Sequence, residues 1–280
     1  MAALEKADGR AAALLETQRL PALGRDEIHV WRVSLHRSEK PLEGLAAVLS
    51  GDEGQRAARY RFARDRDRFV AARGLLRVLL GMYLNVEPRQ LRFAYNPYGK
   101  PALVPQPDGT DVEFNLSHSG DLALYAIARG RAVGIDVERI DPAKGTMEIA
   151  DRFFSAAEIK SLRELPQELR TAGFFNCWTR KEAYIKARGL GLAIPLDQFD
   201  VSLKPGEAAR LIDARCEPGG ASRWRLVELD AGAGYAAAVA AEGQDWRLRC
   251  FDWGEVASLP FKTFKPFNRF APFKTSSAML

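Results

Sequence analysis

Three short apolar runs follow one another between Val112 and Val137 with only small turns between them, and nothing else in the chain limits the fold as strongly. Val112 to Leu116 and Leu122 to Ala128 have strand character, and Arg129-Gly130 turns the chain into a third strand, Ala132 to Val137. Such a succession builds sheet. Helical patterning flanks it. From about Pro41 to Leu84 the apolar positions Leu75, Leu76, Leu79, Leu80 and Tyr83 fall at helical spacing. Ser155 and Glu158 form an S-x-x-E helix start. Phe174 to Arg188 reads as a helix ended by Gly189. His29 to Leu35 alternates as a strand does. Phe199 to Leu203, Trp224 to Leu229, Tyr235 to Ala240 and Trp246 to Phe251 add further strands. The order predicts an α+β chain whose two α/β halves meet near Gly130. It divides into an N-terminal extension (1–25), the halves 26–129 and 130–252, and a Phe/Pro-rich tail (253–280).

Composition removes several classes. The 280 residues are 47% hydrophobic and 28% charged, which is globular rather than disordered or collagenous. Cys177, Cys216 and Cys250 are widely spaced, which argues against a cysteine zinc site and a disulfide scaffold. No apolar stretch approaches the roughly 18 residues of a membrane span, and the N-terminus lacks the pattern of a secretory signal. A cytoplasmic protein is expected. The net charge of +5 admits an anionic cofactor, an acidic protein or nucleic acid as partner. Eight arginines between Arg56 and Arg77 form either a solvated face or a phosphate-gathering surface. In the tail, Phe261, Phe264, Phe267, Phe270 and Phe273 recur every third residue among prolines, the period of polyproline II. Their rings are expected to strap over the body of the protein.

Three clusters carry chemistry. In Val133-Gly134-Ile135-Asp136-Val137-Glu138 the two acids lie two residues apart on a strand and share a face. A carboxylate pair suits Mg²⁺ held with a substrate phosphate, although a solvent-facing D-x-E is also common. In Trp178-Thr179-Arg180-Lys181-Glu182-Ala183-Tyr184-Ile185-Lys186, the residues Trp178, Glu182 and Lys186 line one helix face. They form either a Glu–Lys surface pair or a partly buried carboxylate able to bind metal or act as a base. Phe114-Asn115-Leu116-Ser117-His118-Ser119-Gly120 runs from strand into a polar turn that offers donors to phosphate or bonds its own backbone. Upstream, Tyr98-Gly99-Lys100-Pro101 exposes a lysine on a turn. Together these groups suggest Mg²⁺-assisted transfer from a pyrophosphate donor.

In order and spacing, Gly99-Lys100-Pro101, Phe114 to Ser119, Gly134 to Glu138, Phe153-Phe154-Ser155 and Trp178 to Lys186 resemble the Sfp-type 4′-phosphopantetheinyl transferases over roughly residues 28–245. The resemblance implies two pseudo-symmetric α/β halves with coenzyme A in the cleft between them. It implies transfer of phosphopantetheine from coenzyme A to a serine of an apo acyl or peptidyl carrier protein, with release of adenosine 3′,5′-bisphosphate. The carrier would belong to fatty-acid, polyketide or nonribosomal-peptide synthesis, and the enzyme would be a monomer. By the same resemblance Asp136, Glu138 and Glu182 hold Mg²⁺, while Asp136, Glu182 and Lys186 serve catalysis. Lys186 and His118 meet phosphates. Lys100 and Ser117 hold the adenosine side, Tyr98 and Gly99 shape the adenine pocket, and Arg56 meets the 3′-phosphate. A non-catalytic carrier-docking protein or a nucleic-acid binder would also use the basic excess. Neither needs three acids, and carboxylates repel phosphate unless a metal intervenes.

Overall fold

The computed structural model describes residues 20–35, 39–104, 111–215, 217 and 219–253. The phenylalanine-rich segment and most of the N-terminal extension lie outside these residues. The strand β1 (Glu27–Ser34) is followed by three helices, α1 (Glu39–Ala47), α2 (Gly51–Ala58) and α3 (Ala63–Leu84). The single helical run expected over 41–84 is therefore broken twice. Ser50 restarts the chain as a cap, its backbone N–H donating to Glu53 Oε2 at 3.0 Å. Phe62, in extended backbone, restarts it again. A small hairpin, β2 (Phe93–Tyr95) and β3 (Pro101–Leu103), leads to β4 (Val112–Ser119), β5 (Leu122–Arg129) and β6 (Val133–Arg139). The second half continues with α4 (Met147–Phe153), α5 (Ala156–Glu164) and α6 (Gln167–Arg188). A second small hairpin, β7 (Phe199–Val201) and β8 (Leu211–Ala214), precedes the short α7 (Gly220–Arg223). The strands β9 (Trp224–Glu228), β10 (Tyr235–Glu242) and β11 (Arg247–Asp252) end the described chain.

Two sheets form the centre, in the orders β11-β1-β5-β4 and β6-β10-β9. Strand alternation sorts their side chains into layers. Ile28, Val30, Leu124, Ala126 and Ala128 meet Val133, Ile135, Val137, Ala237, Val239 and Ala241 in one core between the sheets. Trp31, Val33, Tyr125 and Ile127 point the other way, onto Leu75, Leu76 and Leu79 of α3. Ala236, Ala238 and Ala240 likewise face away, onto Ala183, Tyr184 and Ala187 of α6. The layers run helix, sheet, sheet, helix, and each half lays a 22-residue helix on its own sheet. β5 is buried on both faces, which is why it reads as a continuous apolar run rather than an alternating one.

One strand crosses the expected division. β11, read from the sequence as part of the second half, pairs in parallel with β1, from Glu27 with Arg247 to Arg32 with Asp252. A strand's own pattern says which face is buried but not which neighbour it takes.

Candidate active site

The site forms where the two sheets come edge to edge. β4 ends one sheet and β6 ends the other, and side chains rather than a backbone ladder join them. Asn115 Oδ1 accepts the Ile135 backbone N–H at 2.9 Å. Ser117 Oγ donates to Asp136 Oδ1 at 2.8 Å, and Ser119 Oγ donates to Glu138 Oε2 at 2.7 Å. Ser119 Oγ also accepts the Arg139 N–H at 3.0 Å. The three donors and acceptors of β4 sit two residues apart, so one strand face supplies all of them.

The face of β6 that carries Gly134, Asp136 and Glu138 packs on α6, while Val133, Ile135 and Val137 turn into the core between the sheets. Gly134 makes this approach possible, since a Cβ there would sit 2.2 Å from both Ala183 O and Ala187 N. Asp136 thereby comes under the last turns of α6, where Lys186 Nζ reaches its Oδ1 at 2.5 Å and Ser117 Oγ at 3.2 Å. Lys186, which helix spacing sets on the same face as Glu182, makes its ion pair across to the strand. Asp136 is only 2% exposed, and a buried carboxylate needs a cation more than a half-exposed one does. Its second oxygen, Oδ2, is buried without any hydrogen-bond partner.

Electrostatics bind the three acids together. Burial raises the Glu182 pKa above the ordinary carboxylate range, with Asp136 and Glu138 adding to the rise and Lys186 opposing it. Burial also raises Glu138, against the Ser119 hydrogen bond and together with Asp136. Carboxylates that disfavour one another's ionisation are relieved by a shared cation. All are hard oxygen donors, and the orphaned Asp136 Oδ2 provides an unused lone pair, so the set fits Mg²⁺. Among the described residues no group of three or more such side chains stands arranged to hold a metal ion by itself, so the fit is one of donor chemistry and not of a formed site. His118 stands at the solvent edge of β4. The surrounding protein still removes enough hydration to lower its imidazole pKa, and the Lys186 and Arg68 charges lower it further.

The remaining expected residues take varied positions. Tyr98 and Gly99 occupy the exposed β2–β3 turn, Gly99 at φ +85°. The Lys100 ammonium turns inward and donates to Val133 O and Ala187 O, each at 3.1 Å. Arg56 projects from α2 with its guanidinium 5.3 Å from the Phe69 ring and takes no part in the carboxylate network. The arginine run divides. Arg73 and Arg77 are buried, and both donate to Glu53 at 2.5 Å. Arg56, Arg59, Arg61, Arg64 and Arg66 are exposed. Beside Glu138 a groove of about 530 Å³ is walled by Arg64, Arg68, Lys144, Phe174, Phe175 and Trp178, among others. Sequence reasoning named Ser117 but passed over Asn115 and Ser119 as site residues. The N-x-S-x-S alternation within a strand was the available signal.

Comparison with known proteins agrees with this architecture. The family model of the 4′-phosphopantetheinyl transferase superfamily matches residues 132–240. That of the 4′-phosphopantetheinyl transferase N-terminal region matches residues 33–129. The 4′-phosphopantetheinyl transferase HetI of Nostoc sp. is 44% identical over 79% of this chain and 90% of its own length. The 4′-phosphopantetheinyl transferase Sfp of Bacillus subtilis is 32% identical over 59% of this chain and 71% of its own length. The gsp transferase of Aneurinibacillus migulanus is 36% identical over 55% and 62%. On these matches the chain belongs to the 4′-phosphopantetheinyl transferase family. The non-catalytic and nucleic-acid readings find no support among these relatives. Among the described residues no helix is long and apolar enough to cross a membrane.

Proposed function

We propose that this chain transfers the 4′-phosphopantetheine arm of coenzyme A to a serine of an apo acyl or peptidyl carrier protein, with Mg²⁺. The observation that carries the reading is the β6–α6 seam, where Lys186 bridges Ser117 and a buried Asp136 that keeps one oxygen unpaired. Asp136, Glu138 and Glu182 would hold the metal, which when bound neutralises the pyrophosphate and stabilises the charge of the departing phosphate.

The protein's own groups do the rest. The carrier serine attacks the β-phosphorus, a P–O bond forms to its oxygen, and the bond to the bridging oxygen breaks. Adenosine 3′,5′-bisphosphate leaves with that oxygen. Glu182 takes the serine proton, directly or through a water, a role that competes with its binding the metal. Lys186 sets a positive charge where the leaving phosphate develops its own. His118, kept neutral by its lowered pKa, donates a ring N–H to phosphate without adding charge. Ser119 holds Glu138 in its rotamer through Oε2. The groove beside Glu138 gives an acceptor chain a route to the carboxylates.

The test is a mass-spectrometric assay. Apo carrier proteins of several classes are mixed with coenzyme A, Mg²⁺ and the enzyme, with and without a chelator. A chelator-sensitive gain of one phosphopantetheine on the carrier serine is expected. No gain on any carrier, together with no coenzyme A binding by calorimetry, would overturn the assignment.

A further inference from the structure

The β2–β3 hairpin is bound at its tip to the opposite half of the molecule. Its turn is rigid on its own. Asn96 Oδ1 accepts the backbone N–H groups of Tyr98 and Lys100 at 3.0 and 2.9 Å, and Gly99 N–H donates to Asn96 O at 3.0 Å. The remaining polar groups of these two side chains leave the hairpin altogether. Asn96 Nδ2 donates to Gly189 O at 2.5 Å. Lys100 Nζ donates to Ala187 O and Val133 O. Ala187 and Gly189 close the last turn of α6, where carbonyls lack intrahelical partners and the helix dipole is negative. An ammonium and an amide are therefore well matched to that end. The packing is equally close, since a Cβ on Gly189 would lie 3.1 Å from Lys100 Cδ and 3.2 Å from Asn96 Nδ2.

We propose that this hairpin is a clasp that sets the nucleotide end of the cleft, and that Asn96 and Lys100 are its positioning residues. Lys100 joins the hairpin to β6 and α6 at once. Those are the two elements that carry Asp136, Glu138, Glu182 and Lys186, and Ala187 directly follows Lys186 in the chain. Two of the three ammonium N–H groups are spent on main-chain carbonyls, which suits a strut better than a ligand for phosphate. Glu113 of β4 acts on the ammonium through charge, without an ion pair, and β3 itself packs beside β4, the strand that bears Ser117 and His118. The role of the clasp in the cleft rests on the coenzyme A reading above. Its existence as a structural lock does not.

The experiment compares the full-length wild type with Lys100→Met and Asn96→Ala. Hydrogen exchange without ligand is expected to rise about tenfold at Phe93–Leu103 and at residues 187–190, the loss of one or two hydrogen bonds, with α3 unchanged. Calorimetric Kd values for coenzyme A and 3′-dephospho-coenzyme A are expected to weaken by the same factor, their ratio staying within about twofold. Unchanged exchange in both variants overturns the clasp. So does a loss confined to coenzyme A, which would make Lys100 a 3′-phosphate contact. If Lys100→Met does not fold, Asn96→Ala carries both readouts. If neither nucleotide binds the wild type, the proposed function fails, and the exchange data still decide the clasp.

Discussion

Asp136 shows how much one buried carboxylate organises. Its Oδ1 serves Ser117 and Lys186 together, whereas the buried Oδ2 has no hydrogen-bond partner among the described residues. A buried unpaired acceptor costs about 1–3 kcal/mol, a penalty that a bound cation would remove. Glu182 lies one helical turn before Lys186 and is half-buried among the same charges. Because proton transfer by a positioned base contributes about 10²–10⁴-fold, Glu182→Gln is expected to slow carrier modification by that factor. Coenzyme A should still bind within a few-fold of the wild type. Single-turnover mass spectrometry and calorimetry measure the two effects separately, and near-normal turnover would remove Glu182 from the mechanism. That Asp136, Glu138 and Glu182 can share one neighbourhood was legible in the sequence, because D-x-E on a strand and Trp178/Glu182/Lys186 on a helix each fix a face. That Lys186 serves Asp136 rather than Glu182 was not, since the choice depends on how deeply each carboxylate is buried.

At the scale of elements, the contact between β6 and α6 decides whether the site exists. It depends on a missing side chain. An alanine Cβ at Gly134 would meet backbone atoms of Ala183 and Ala187, and main chain inside a helix does not yield. Gly134→Ala is expected to destabilise the fold by about 3 kcal/mol, at the upper end of ordinary overpacking. Gly54→Ala is the control, because Gly54 lies in α2 and a Cβ added there would meet nothing within 4 Å. That change should stabilise by about 0.5–1 kcal/mol through the unfolded chain. Urea midpoints of the two variants test both signs. The C-terminal ends of α3 and α6, at Leu84 and Arg188, followed from periodicity and from the Gly189 stop, whereas α6 begins at Gln167, well before the expected Phe174. The interruptions at Ser50 and Phe62 were missed, although Ser50 and Glu53 form the same S-x-x-E helix start that Ser155 and Glu158 form.

For the molecule as a whole, β1 is the strand on which most depends, and His29 lies buried within it. His29 Nε2 meets Glu27 Oε2 at 3.3 Å, and Nδ1 meets the Tyr83 hydroxyl at 2.7 Å. That hydroxyl already accepts the Trp31 indole N–H at 2.9 Å. A neutral ring protonated on Nε2 satisfies every group, because Tyr83 then donates to Nδ1. A doubly protonated ring would leave the Tyr83 proton without an acceptor. Phe251 of β11 covers the ring edge-on, and Arg249 adds a like charge. Burial accordingly lowers the His29 pKa from 6.5, with Glu27 opposing the shift. Below pH 6.5 the unfolded chain binds this proton and the folded one resists it, so stability is full above that pH and falls as the pH drops through it. Between pH 6.5 and 5.5 the wild type should lose up to about 1 kcal/mol more than His29→Gln, read from urea unfolding at each pH. Equal losses in the two proteins would show that His29 is not responsible.

The sequence alone determined the types of most elements and the residue types that meet between β4, β6 and α6. These follow from local periodicity, turn chemistry and motif spacing, which act over a few neighbours. Only the tertiary structure decided the rest. The return of β11 to β1, the burial of Arg73 and Arg77 on Glu53 and the reach of Lys100 to the end of α6 join residues distant in the chain. No local pattern encodes such pairings, because each is selected by the burial of charge and backbone that the completed layers impose.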